Sequence, residues 1–207
     1  MNADVLSVVI VAEGSSDSAL ESPVRWLINY LEIDRPLEIQ ISFRSQDSGT
    51  GLPGKLQTAC QLFEPDLVLL HRDSDGTSYE KRLEEIEAAA QAVDTVPVVP
   101  VIPIRMTEAW LLIDEQAIRR ASGNPQGKTQ LELPKIGNLE TIADPKSLLF
   151  DLLRKASELK GRRLKKFSVF EARKILAEEI EDFSALLQLS AFQKLLDLLR
   201  KQFQGRA

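Results

Sequence analysis

The chain has 207 residues, 43% of them hydrophobic and 28% charged, with a net charge of -5, which suits a well-buried globular core and excludes a disordered one. One cysteine, Cys60, excludes an internal disulfide and a cysteine metal cluster, and one histidine, His71, argues against multi-histidine zinc chemistry. No apolar stretch approaches the roughly 18 residues of a membrane helix, and the polar start MNAD is no signal peptide, so the cytoplasm is the expected location.

Charge is unevenly spread. Residues 1–120 hold 20 Asp+Glu against 10 Lys+Arg, whereas residues 121–207 hold 11 against 16. An acidic half and a basic half suit a metal site beside a surface that attracts phosphates, or simply an uneven solvated surface.

In chain order, VLSVVIVAEG (5–14) is a β-branched apolar run, hence a strand buried on both faces, ending at Glu13-Gly14. SSDSALESPVRWLINYL then predicts a helix, with Ser18 and Glu21 at capping-box spacing and Pro23 tolerable in the first turn. LEIQISF (37–43) alternates as a strand does. The Gly/Ser stretch RSQDSGTGLPG predicts a loop before a helix near 54–63, and Cys60 packs there as a small apolar side chain. DLVLLHRD (66–73) is a further buried strand, followed by a charged helix, SYEKRLEEIEAAAQAV. In VPVVPVIPIR (96–105), Pro97, Pro100 and Pro103 each lack a ladder donor, so that strand is expected at or near a sheet edge. TEAWLLIDEQAIRRAS predicts one helix with Thr107 as N-cap, and two or three helices follow to the C-terminus. The expected fold is α/β, a Rossmann-like, mainly parallel sheet flanked by helices, over residues 1–120, with a helical C-terminal extension over 121–207 packed on it.

In such a sheet, ligands bind beyond the carboxyl ends of the strands. Glu13 ends the first strand, and Asp73 and Asp75 end the third. If those strands are neighbours, three carboxylates converge, an arrangement that repels itself unless a cation sits among them. Hard oxygen donors favour Mg²⁺ or Mn²⁺. In an extended segment, Asp73 and Asp75 would project the same way. A calcium EF-hand loop fails on spacing, because Gly76 directly follows Asp75. A haloacid-dehalogenase-like phosphatase would use Asp73 as nucleophile and Asp75 as general acid/base. It also needs a later acidic pair at a strand end, which is not found, and it leaves Glu13 without a role.

The Glu-Gly and Asp-x-Asp elements, about 60 residues apart, resemble the topoisomerase–primase (TOPRIM) domain. VAEGSSD, LHRDSDG and IPIRMTEAWLLID in this order, with DPK (144–146) and LSAFQKLLDLL (189–199) later, resemble domain-of-unknown-function family 4276 over nearly the whole chain. The resemblance implies a TOPRIM-like fold in which Glu13, Asp73 and Asp75 are the functional carboxylates. The glutamate is then a proton-transfer candidate or ligand, and the aspartates hold Mg²⁺. The implied activity is nuclease-like phosphodiester chemistry on nucleic acid, related in site to nucleases of the overcoming-lysogenization-defect group. The competing expectation is a non-catalytic TOPRIM-like interaction protein in a defence or repair system. Tyr30 and Tyr79 lie in predicted helices with no motif around them, which argues against a topoisomerase, and the cysteine count excludes a primase zinc module.

Other residues carry two readings each. Glu108 is an outer metal ligand or complements a helix dipole. Asp17 matches an acidic position of the family's first motif or caps the following helix, with capping preferred, and Asp114 reads as a surface or capping residue. Arg72, Arg105 and Lys55 are placed to meet a phosphate, or the arginines pair with the acidic cluster. His71 reads as a packed, hydrogen-bonded residue rather than a proton shuttle. GTGLPGK (49–55) has phosphate-loop spacing, but Leu56 replaces the required hydroxyl and Pro53 removes a donor. KGRRLKK (160–166) packs five cations into seven residues, as a phosphate-binding strip or a solvated connection.

Overall fold

The computed structural model describes residues 5–42, 51–93 and 95–204. Strands β1 (Leu6–Val11), β2 (Leu37–Ser42), β3 (Leu67–His71) and β4 (Val98–Val101) form one sheet in the order β2-β1-β3-β4. All pairings are parallel, with Ile10 opposite both Ile41 and Leu69, and Leu70 opposite Pro100. The apolar runs of β1 and β3 are thus the central strands, as continuous hydrophobicity demands of strands covered on both faces. The winding direction reverses between β1 and β3, so the crevice beyond their carboxyl ends is a topological switch point.

The proline-rich strand takes the edge, as its composition requires. The carbonyls of Pro97, Val101 and Pro103 accept the N–H groups of Val68, Arg72 and Ser74. Alternation along the strand then turns Pro100, with its missing donor, toward the open edge, where no ladder bond is lost.

Side-chain alternation splits the core in two. Leu6, Val8, Ile10, Leu67 and Leu69 face one cluster; Val9, Val11, Val68 and Leu70 face the other. The second cluster is closed by α2 (Gly51–Phe63) and α3 (Tyr79–Ala90) through Leu56, Ala59, Ile86 and Ala89. The first is covered by α1 (Glu21–Tyr30) and by the C-terminal half: α4 (Glu115–Ala121), α5 (Pro145–Ser157), α7 (Val169–Glu179) and α8 (Ser190–Gln204). Trp110 is buried there, edge-on to Phe192 of α8 at 5.1 Å. One apolar cluster therefore runs from β1 into the last helix. A short exposed helix, α6 (Gly161–Lys166), lies between α5 and α7 and buries none of its residues.

Three local expectations change. The helix after β1 begins as a 3₁₀ turn, Ser15–Leu20, capped at Gly14 with Asp17 rather than Ser18 and Glu21 forming the capping box. The helix expected from Thr107 divides into a 3₁₀ turn, Thr107–Leu111, and α4, whose N-cap is Asp114 accepting from the Ala117 N–H at 3.0 Å. Thr107 is not an N-cap, because its hydroxyl is engaged elsewhere. Among the described residues, the C-terminal part holds four α-helices, α5 to α8, rather than two or three. The helix expected near 54–63 begins at Gly51, and the loop residues 43–50 lie outside the described residues. No helix among the described residues is long and apolar enough to cross a membrane.

Candidate functional site

The carboxyl ends of β1 and β3 carry Glu13, Asp17, His71, Asp73, Ser74 and Asp75, and the segment after β4 adds Arg105, Thr107 and Glu108. Pairing of β1 with β3 is what brings Glu13 to the same edge as the two aspartates.

The buried side of this edge is dominated by negative charge. Asp73 is mostly buried; its Oδ1 accepts the Thr107 N–H at 2.9 Å and the Thr107 hydroxyl at 3.2 Å. Burial, then the charges of Glu108, Asp17 and Asp75, push its carboxyl up to about 8, while the Thr107 hydroxyl pulls the other way. Asp17 caps its own turn, its Oδ2 accepting the N–H groups of Glu13 and Gly14 at 3.0 Å each. Glu108 is fully paired with Arg173 of α7, both side chains being about 4% exposed. His71 is buried outright, and its Nδ1 lies 3.1 Å from the Val101 carbonyl, to which it donates. Its Nε2 is then a bare acceptor, 3.5 Å from Asp73 and 3.9 Å from Asp17, without a hydrogen-bond partner among the described residues. Burial lowers the imidazole pKa, chiefly opposed by Asp17, so the neutral ring is favoured.

The outer side is different. Glu13 is exposed and its carboxylate sits 2.5 Å from Arg72 Nε, an ion pair without the alignment of a hydrogen bond. Arg72 also lies 3.7 Å from Glu85, which Arg82 holds at 2.7 Å. Lys55 Nζ donates to the Glu13 carbonyl at 3.1 Å. Asp75, Gly76 and Arg105 all take left-handed conformations, with φ of 48°, 84° and 63°. For Asp75 and Arg105 this is locally unfavourable and is held by mutual bonding. The Asp75 N–H donates to the Arg105 carbonyl at 2.9 Å, and the Arg105 N–H to Ser74 Oγ at 2.7 Å. The Arg105 guanidinium has no ion-pair or hydrogen-bond partner among the described residues.

Glu13, Asp73 and Asp75 thus meet at one edge, but not in the expected manner. β3 ends at His71, and the left-handed turn at Asp75 breaks the period-two alternation that was to aim both aspartates alike. Asp75 still lies close enough to act electrostatically on Asp73. Glu108 reaches the edge and is neutralised by Arg173. Among the described residues, no group of three or more His, Cys, Asp and Glu side chains is arranged to hold an ion. That rules against a closed, four-ligand zinc cage. Mg²⁺ makes a lesser demand, since one or two carboxylates commonly hold it together with substrate phosphate and water. Asp73 and Asp75, which have no arginine partner among the described residues and, unlike Asp17, cap no turn of their own, fit that requirement in number and in donor type.

Sequence reasoning missed Thr107, Ser74 and Arg173. Thr107 read as a helix cap, Ser74 carried no assignment, and Arg173 lies 65 residues from its partner with no local signal at all. Tyr30 stacks on Trp26, and Tyr79 lies under the Lys194 ammonium, so each ring has a structural contact. Burial pushes the Cys60 thiol up, away from a reactive thiolate. Of the phosphate-loop-like stretch, 49 and 50 lie outside the described residues, and Gly51–Lys55 opens α2.

A family model with the description "Domain of unknown function (DUF4276)" matches residues 13–200. No curated protein and no solved structure matches the chain.

Proposed function

The chain belongs to this family of domains of unknown function, and from that premise we propose that it is TOPRIM-like and carries out Mg²⁺-dependent, nuclease-like phosphodiester chemistry on nucleic acid. The observation that supports this reading is Asp73: a mostly buried carboxyl among three other carboxylates, with no cation against it among the described residues. Folding a chain around such a group is unfavourable, and a divalent cation with a bound phosphate removes the conflict.

In this reading, Asp73 and Asp75 hold the ion, with Mn²⁺ as the substitute. The bound ion supplies Lewis-acid polarisation of a phosphoryl oxygen and neutralises charge developing on it. Thr107 fixes the Asp73 carboxylate through two donors, which leaves its other oxygen directed away from that clamp. Arg105 presents a free guanidinium to a non-bridging phosphate oxygen, a geometry suited to its planar fork. Glu13 accepts a proton from the attacking water once the phosphate draws Arg72 away from it, and Lys55 meets a neighbouring phosphate.

A second reading has support of its own. Two of the five carboxylates at this edge, Glu13 and Glu108, are already neutralised by the protein's arginines. That suits an interaction protein that keeps the acidic edge without catalysis. The phosphatase alternative still lacks a later acidic pair at a strand end and leaves Glu13 without a role.

Cleavage of labelled single-stranded and duplex DNA and RNA, with Mg²⁺, Mn²⁺ or chelator, separates these readings. The nuclease reading expects metal-dependent cleavage that disappears in a folded Asp73→Asn/Asp75→Asn variant. Absence of cleavage on every substrate, with either metal, would support the interaction protein instead.

A further inference from the structure

The basic helix α6 plays no part in the site just described. Residues 154–168 contain seven cations, Arg154, Lys155, Lys160, Arg162, Arg163, Lys165 and Lys166, against one anion, Glu158, in a chain whose net charge is -5. Glu158 is already satisfied, accepting the N–H groups of Lys128 and Thr129 at 2.7 Å each. Among the described residues, only Arg154 finds an internal partner, Asp151. The other six cations form no ion pair among the described residues and are exposed. Such a run is self-repelling, and nothing in the fold compensates it.

Two further features narrow the partner. Open hollows of about 440 and 470 Å³ flank α6, lined by Arg154, Lys155 and Lys160 on one side and by Arg163, Lys166 and Ile175 on the other. Phe170, 60% exposed, and Ile175, 43% exposed, stand on the next helix beside the cations. Phe170 meets Phe150 edge-on at 5.2 Å, so the ring is fixed while its surface stays largely open. No aromatic is interleaved within the basic run itself, but one open aromatic face beside it suits a single strand, whose phosphates and unstacked bases are both accessible. Six residues of helix are short for lying along a duplex groove, and an anionic membrane would find no continuous apolar face on α6.

We infer that α6 and the start of α7 form a docking strip for single-stranded nucleic acid, with Lys160, Arg162, Arg163, Lys165 and Lys166 on its phosphates and Phe170 against a base. The choice of nucleic acid over other polyanions rests on the phosphodiester reading above. The placement supports it further, because α7 also carries Arg173, which contacts Glu108 at the acidic edge. Phe170 and Arg173 share α7 and are separated by about 5 Å along its axis. A strand held on α6 is thereby delivered toward Asp73.

The test is equilibrium binding of a fluorescent oligo(dT) in chelator, as a function of salt. It compares wild type with an Arg162→Ala/Arg163→Ala/Lys165→Ala/Lys166→Ala variant and with Phe170→Ala. None of the four basic side chains is buried, so the first variant keeps the fold. Its plot of log affinity against log salt is expected to flatten by roughly 2–3, from about 0.7 per phosphate contact on single strands. Phe170→Ala is expected to weaken binding about tenfold without changing the slope. An unchanged slope in the quadruple variant overturns the inference, as does failure of the wild type to bind. Preferential binding of phosphatidylserine vesicles or of an acidic peptide overturns it in favour of that partner. When Mg²⁺ or Mn²⁺ is then added in place of chelator, an oligonucleotide that binds through α6 but is never cut refutes the nuclease reading alone. Cleavage that survives the quadruple variant with unchanged binding refutes the docking strip alone.

Discussion

Glu108, buried, and Asp73, mostly buried, are neighbouring carboxylates that the fold treats in opposite ways. Glu108 is met by Arg173, brought in on a helix from the C-terminal half. Asp73 receives only the Thr107 N–H and hydroxyl and is surrounded by further negative charge. A neutralised buried charge serves the structure, since removing its partner leaves an uncompensated ion. An unneutralised one weakens the structure and is retained where something outside the chain completes it. In the proposed reading, the contrast places Glu108 in the framework and Asp73 in the site.

The contrast is broken most severely from the framework side. Arg173→Met leaves Glu108 buried without its cation and is expected to cost about 3–5 kcal/mol, lowering the melting temperature by roughly 10 °C. A variant as stable as wild type would mean that Glu108 takes up a proton without penalty. The next effect has the opposite sign. Between its ordinary value of 3.8 and about 8, folded Asp73 keeps a proton that the unfolded chain releases. The folded state binds more protons across that window, so its contribution to stability falls as pH rises through it and levels off above. Asp73→Asn removes the penalty. Urea unfolding should show no difference from wild type below the window and a gain on the order of a few kcal/mol above it, alongside lost activity. Equal stability at both ends would show that the carboxyl is compensated within the protein.

Smaller changes sharpen the same comparison. Thr107→Val keeps the backbone donor but removes the hydroxyl, with an expected loss of about 1 kcal/mol and a further rise of the Asp73 carboxyl. Carboxyl NMR reads that rise, which a purely structural role for Thr107 would not produce. Arg105→Gly relieves a left-handed residue and is expected to stabilise by about 1 kcal/mol while weakening phosphate-dependent activity. A destabilised Arg105→Gly would mean that the arginine side chain, and not the turn, holds the Ser74–Arg105 contact.

Much of this arrangement is visible in the sequence, because it depends on local patterns. The apolar runs at 5–14 and 66–73 mark central strands, and Pro97, Pro100 and Pro103 mark an edge, since each reflects what a single strand can bury or donate. Convergence of Glu13 with Asp73 follows once those strands pair. Asp17 reads correctly as a cap, because the cap lies within four residues of its partners. What is hidden depends on distant chain. No pattern near Arg173 announces Glu108, and none near Thr107 announces Asp73. The turn at Asp75 is hidden differently: alternation holds only while the chain stays extended, and the left-handed residue ends it. The split of the 107–122 helix follows from the same cause, with Thr107 recruited to the site and Asp114 left to start α4.

The most direct test is a pH titration of the Asp73 side-chain carboxyl carbon by NMR, with and without Mg²⁺ and a non-hydrolysable phosphodiester. An Asp73 awaiting a cation should titrate near 8 alone and fall well below that once metal and phosphodiester are bound, because the ion favours the charged form. Titration near the ordinary value of 3.8, or a midpoint that metal and phosphodiester leave unmoved, would contradict the assignment of Asp73 to a cation site.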